Sequence, residues 1–103
     1  MDIPGSKEEG MKFDTGKPRA GLCIKGFQNA LNEVSKVTTF GAKKYAPNNW
    51  QFVENANERY SDALFRHLLE DGNDPESGLK HLAHAAWNLL AILELELRKE
   101  KQE

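Results

Sequence analysis

After Asp74-Pro75 the chain runs to Leu97 with apolar residues on nearly every helical face. Leu79, Leu82, Ala86, Leu89, Leu90, Leu93 and Leu97 recur at helical spacings, which predicts one core stripe along a helix opening at Asp74-Pro75. Ala85, Ala91, Ile92 and Leu95 make much of the other side apolar too, and the surface helix of an isolated domain is not built that way. Burial on two sides follows, by the chain's own helices and by a second subunit. Ser77, His81, His84 and Asn88 share a narrow arc roughly opposite the leucines. Polar groups so placed need partners, so this strip faces a ligand or a metal, or meets another helix where the groups satisfy one another.

The upstream segments supply the partners. From about Lys25 to Tyr45, Phe27, Leu31, Val34 and Val37 mark an amphipathic helix that Pro47-Asn48-Asn49 ends. A second helix is expected from Asn55, capped by its side chain with Glu58 reaching back. Its apolar stripe is Tyr60, Ala63, Leu64, His67 and Leu68, with Arg59, Asp62, Arg66 and Glu70 spaced for salt bridges on the other face. His67 reads as a satisfied core histidine. Gly72-Asn73 closes that helix, and Asp74 and Pro75 suit the cap and first position of the next. Residues 1–11 read as a flexible arm and residues 12–24 as extended; residues 12–103 form one helical domain. The fold class is all-α, a small bundle of three main helices with an extended N-terminal arm, completed by oligomerisation.

Bulk properties narrow the function. A chain of 103 residues is one small domain, too short to bury a deep cleft by itself, so a homo-oligomer, dimer or higher, is expected. A formal charge of −2 argues against binding duplex nucleic acid. The single Cys23 excludes an internal disulfide, and no apolar run approaches the roughly 20 residues that span a bilayer. A cytoplasmic protein without a membrane partner is expected.

Several residue groups carry candidate chemistry. Glu33, Asp74 and Glu76 are carboxylates that would hold a hard divalent cation, although Lys36 one turn from Glu33 offers a plain salt bridge and Asp74 and Glu76 also suit a helix N-terminus. Lys12, Lys17 and Arg19, and then Lys43 and Lys44, form two basic clusters able to contact phosphate oxygens or simply to stay solvated. Tyr45, Trp50 and Tyr60 present flat rings that stack on a base or pack in a core.

The segments KFDTGKPR, EVSKVTTFGAKKY, NNW, RY, RH and DPESGLKHLAHAAWN, in this order over about residues 12–96, resemble the N-terminal domain of phage-type dATP/dGTP diphosphohydrolases, a family similar to the MazG-like all-α nucleoside triphosphate pyrophosphohydrolases. The resemblance implies an oligomeric protein that binds a purine nucleotide, with Mg2+ or Mn2+ bridging phosphates to acidic side chains. It implies Glu33 as the catalytic residue and metal ligand, with Asp74 and Glu76 as further ligands. Nucleotide contacts would come from Lys12, Lys17, Arg19, Lys43, Tyr45, Asn49, Trp50, Tyr60, Arg66, His81, His84 and Asn88.

Two functions are open at this point. One is a metal-dependent (deoxy)nucleoside triphosphate pyrophosphohydrolase that converts dGTP or dATP to monophosphate and pyrophosphate, in the host cell cytoplasm if phage-encoded. The other is a sponge without chemistry and without a metal, which sequesters a nucleotide or a cyclic nucleotide immune signal. The second is motivated by the missing acid pairs of MazG-like hydrolases, since Glu33 is followed at three residues by Lys36 and His81 and His84 stand where a second pair is expected, together with abundant lysine, arginine, histidine and amide donors that bind anions without a metal.

Overall fold

The computed structural model describes residues 10–102, so most of the expected N-terminal arm and Glu103 lie outside the described residues. The described residues are helical: α1 (Ala20–Gly26), α2 (Gln28–Lys44), a single 3-10 turn (Asn49–Phe52), α3 (Ala56–Leu68) and α4 (His81–Gln102). An antiparallel bridge between Asn73 and Lys80 is the one piece of β pairing among them. The three main helices are α2, α3 and α4. The long α4 packs chiefly on α3, with α2 alongside.

Three local expectations change. Residues 20–24, expected to be extended, belong to α1, and the chain bends at Phe27 (φ −108°, ψ 26°) before α2 begins. Asn55 does precede α3, but its backbone is left-handed (φ 53°, ψ 42°) and its side chain makes no capping bond. A capping side chain needs an extended backbone to reach the first turn, so the capping box does not form. α3 ends at Leu68, ahead of Gly72-Asn73.

The largest change is at Asp74. The helix expected to open there begins seven residues later at His81, and residues 72–80 form a compact loop. Gly72 and Gly78 take positive φ (74° and 75°), a conformation that a side chain disfavours. The backbone then closes on itself: Asp74 N donates to Leu79 O at 2.7 Å, Gly78 N to Asp74 O at 2.7 Å, and His81 N to Gly72 O at 3.0 Å. Asp74 Oδ1 accepts from Glu76 N at 2.7 Å. The aspartate that reads as a helix cap therefore pins a loop.

α4 is also turned relative to the expected core stripe. Its buried face is Ala83, His84, Ala85, Asn88 and Ala91, while Leu82, Leu89, Leu90, Leu93 and Leu97 are exposed on the single chain. The polar strip faces inward because only small or hydrogen-bonding residues let α4 approach α2 and α3 closely, and the leucines are left on the far side. Val37, Ala83, Ala85 and Ala91 are the buried apolar residues among those described, and no large side chain is fully enclosed. The radius of gyration, 19.0 Å, well exceeds the roughly 13 Å of a compact chain of this length.

Candidate functional site

α2, the 3-10 turn, α3, the 72–80 loop and α4 surround a cleft of 540 Å³. Helical phase explains which side chains reach it. On α3, Arg59, Tyr60, Ala63, Arg66 and His67 fall at i, i+1, i+4, i+7 and i+8, one face of the helix, and all line the cleft. The arginines expected to sit in surface salt bridges therefore face the cavity instead, and neither forms an ion pair among the described residues. On α2, Val37, Phe40, Gly41 and Lys44 follow the same rule, which sends Lys44 inward. α4 contributes His84, Trp87 and Asn88.

One end of the cleft is aromatic. Trp87 meets Trp50 and Tyr60 edge to face, with centroids 5.8 and 5.6 Å apart and both interplanar angles 80°. Polar atoms of these rings are satisfied: Tyr60 OH donates to Trp50 O at 2.7 Å, and Trp87 Nε1 to Thr38 Oγ1 at 3.1 Å. Burial raises the Tyr60 phenol above its ordinary value, so it stays neutral and keeps that bond. Arg98 covers the outer face of Trp50 at 5.5 Å. Tyr45, largely exposed, stands at the lining with the Lys44 ammonium 5.2 Å from its ring.

The other end is built of imidazoles. His67 stacks on His84 (4.6 Å, 12° between planes), and Phe40 meets His84 edge to face at 6.2 Å. His84 Nε2 lies 2.7 Å from Ser77 Oγ, and Asn88 Nδ2 donates to His84 O at 2.8 Å. Behind His67, its Nδ1 sits 2.9 Å from His81 Nδ1. Donor atoms of His67, Asp74 and His81 all lie within 4.8 Å of one another. Burial, then the neighbouring rings, pushes His67 below the ordinary imidazole value; burial does the same for His84 against the opposing pull of Asp74. Burial alone would raise the Asp74 carboxyl, but the Glu76 N–H and the three imidazoles outweigh it and the net shift is downward. Both stacked rings are therefore held neutral beside an ionised carboxylate.

Of the residues singled out from sequence, Tyr45, Asn49, Trp50, Tyr60, Arg66, Asp74, Glu76, His84 and Asn88 line this cleft, and His81 supports it through His67. Lys12, Lys17, Arg19, Lys43 and Glu33 are not part of the lining. Lys12 lies 4.0 Å from Asp14, Arg19 precedes α1, and Glu33 accepts from Lys36 at 2.7 Å. Glu76 is held by Lys44 at 2.6 Å. Glu33, Asp74 and Glu76 do not converge as one ligand group among the described residues. Sequence reasoning passed over His67, Arg59 and Phe40 as lining residues, and of the Lys43/Lys44 cluster it carried Lys43 forward as the nucleotide contact where Lys44 lines the cleft. The phase of Val37 and Gly41 would have distinguished Lys44 from Lys43, whereas His67 meets His81 through a loop whose shape no periodicity reports.

The model of the family described as dATP/dGTP diphosphohydrolase, N-terminal, matches residues 7–103. The chain belongs to this family. A "dATP/dGTP diphosphohydrolase" of Salmonella phage PMBT28 is 41% identical over 87 residues, covering 81% of the chain. The chain spans 28% of the length of that relative, so this dATP/dGTP diphosphohydrolase N-terminal domain corresponds to one part of a longer protein there. No solved structure matches the chain. Among the described residues of the domain, no helix is long and apolar enough to cross a membrane.

Proposed function

We propose that the domain is a purine deoxynucleoside triphosphate diphosphohydrolase, acting on dGTP or dATP in a cation-dependent reaction. One observation carries the reading. Lys44, Arg59 and Arg66, the ring of Tyr45, and His67, His84 and Asp74 all line one cleft whose 540 Å³ is within the usual range of about 300–1,000 Å³ for small-molecule sites. Family membership and the name of the phage relative point the same way.

Each part of the cleft has a task in hydrolysis of a phosphoanhydride. Arg59 and Arg66 approach from one helix face and suit a chain of phosphates, Arg by bidentate hydrogen bonds and Lys44 as a point charge. Tyr45 offers an exposed ring on which a purine stacks. The chemistry that a divalent cation would supply at His67 and Asp74, when bound, is neutralisation of phosphate charge and activation of the attacking water. Water adds to phosphorus as the bond between the α- and β-phosphoryl groups breaks, giving monophosphate and pyrophosphate.

Self-association belongs to the same proposal. A chain whose buried apolar residues are one valine and three alanines among those described, with five leucines exposed along α4, is completed by a second copy of that helix. The test of function is mass spectrometry of dGTP and dATP incubated with purified protein and Mn2+. Monophosphate and pyrophosphate are expected; recovery of intact nucleotide bound stoichiometrically would replace hydrolysis with sequestration.

A further inference from the structure

The pair of nitrogens between α3 and α4 has an unusual arrangement. His67 Nδ1 and His81 Nδ1 lie 2.9 Å apart, and donor atoms of His67, His81 and Asp74, one from each side chain, all lie within 4.8 Å of one another. Without a cation, one ring must carry a proton on Nδ1 and the other must accept it. With metal–nitrogen bonds of about 2.0–2.1 Å, two nitrogens about 2.9 Å apart subtend about 90° at a metal, the cis angle of an octahedron. The separation thus fits either a shared proton or a shared ion.

The surroundings favour the ion. His67 and Asp74 line the cleft, so a cation held there would face the space that Arg59, Arg66 and Lys44 border. Asp74 is held in place by the Glu76 N–H on Oδ1 and by two backbone bonds across its loop, which fixes the carboxylate before any ligand arrives. His81 is held by the bond from its own N–H to Gly72 O. All three side chains are partly buried, neither sealed nor open to bulk water.

We propose that His67, Asp74 and His81 form a divalent transition-metal site. The donor set is two imidazole nitrogens and one carboxylate oxygen. Magnesium prefers oxygen alone, whereas manganese, iron, cobalt, nickel and zinc accept imidazole readily. Three protein donors leave coordination positions for phosphate oxygens and water. The site stands on geometry; its part in turnover rests on the hydrolase reading above.

Metal binding by the chelator-treated full chain tests it. Titration with Co2+, followed by calorimetry and visible absorption, is expected to show one ion per chain. His81→Gln and Asp74→Asn are each expected to weaken binding at least tenfold, with circular dichroism confirming the helices. Because a variant can fail to fold, wild-type protein loaded with Mn2+ is also read by pulsed electron spin resonance, where imidazole nitrogen couplings are expected. The site is refuted if no nitrogen coupling appears, if the variants bind Co2+ as the wild type does, or if Glu33→Gln alone abolishes binding. Failure of the two readings is distinguishable. Triad-dependent Co2+ binding with no nucleotide cleavage upholds the site and removes the hydrolase, whereas Mn2+-dependent cleavage that survives both triad variants does the reverse.

Discussion

His67 and His84 lie face to face, ring centroids 4.6 Å apart, in a contact that two imidazolium ions could not share without repulsion. Both rings bind a proton less readily in the folded chain than in the unfolded one, chiefly because they are buried. The unfolded chain therefore takes up more protons below about pH 6.5, the ordinary imidazole value. The stability associated with these rings is fully present above that pH and is lost as pH falls through their lowered values. Asp74 titrates in a more acidic window, since its carboxyl is shifted down from 3.8. The melting temperature of the metal-free protein is expected to fall between pH 7 and pH 5, and to fall less in His84→Gln. An unchanged profile in the variant would assign the pH response elsewhere.

Tyr60 donates to the carbonyl of Trp50 across ten residues and so ties α3 to the 3-10 turn. Tyr60→Phe keeps the ring against Trp87 and removes only that bond. A loss of about 1 kcal/mol is expected. For a domain of this size that lowers the melting temperature by about 4–8 °C, measurable by calorimetry.

Gly78 has φ +75°, and a Cβ added there would meet nothing within 4 Å. The cost of Gly78→Ala is therefore conformational and not steric, about 1 kcal/mol or somewhat more. The loop that carries Asp74 depends on this turn, so Co2+ affinity is expected to weaken along with stability. A variant as stable as the wild type would show that the loop tolerates another backbone path.

Arg59 and Arg66 face the cleft without an ion pair among the described residues, so removing either charge leaves no buried partner behind. Under the proposed function, Arg66→Ala is expected to raise KM for dGTP about tenfold or more, the cost of one charge-assisted hydrogen bond. Steady-state kinetics check this, with circular dichroism confirming the fold.

Leu89 and Leu93 are about half exposed on the outer face of α4. If copies meet there, Leu89→Glu with Leu93→Glu buries unpaired charge at the contact and gives monomers by light scattering. A wild-type monomer at the same concentration would end the proposal of self-association.

How much of this was legible in the residues differs from element to element. The periods of Leu31, Val34 and Val37, and of Tyr60, Ala63 and His67, were enough for α2 and α3, because an amphipathic face depends only on local spacing. The two-sided apolar character of α4 was equally plain, and so was the strip of His81, His84 and Asn88. Which side turned inward was not. Leucines and a histidine–alanine face both call for burial, and the choice rested on how closely α4 could approach α2 and α3.

The residues alone determined an all-α chain, its family and the types of group available for binding phosphate. Tertiary structure decided the grouping: that Asp74 pins a loop instead of capping a helix, and that His67 meets His81 while Glu33 stays with Lys36. The reason is physical. Helix period is encoded within a few residues, but the meeting of His67 and His81 depends on left-handed turns at Gly72 and Gly78 and on the packing of α3 against α4, and no local spacing carries that information.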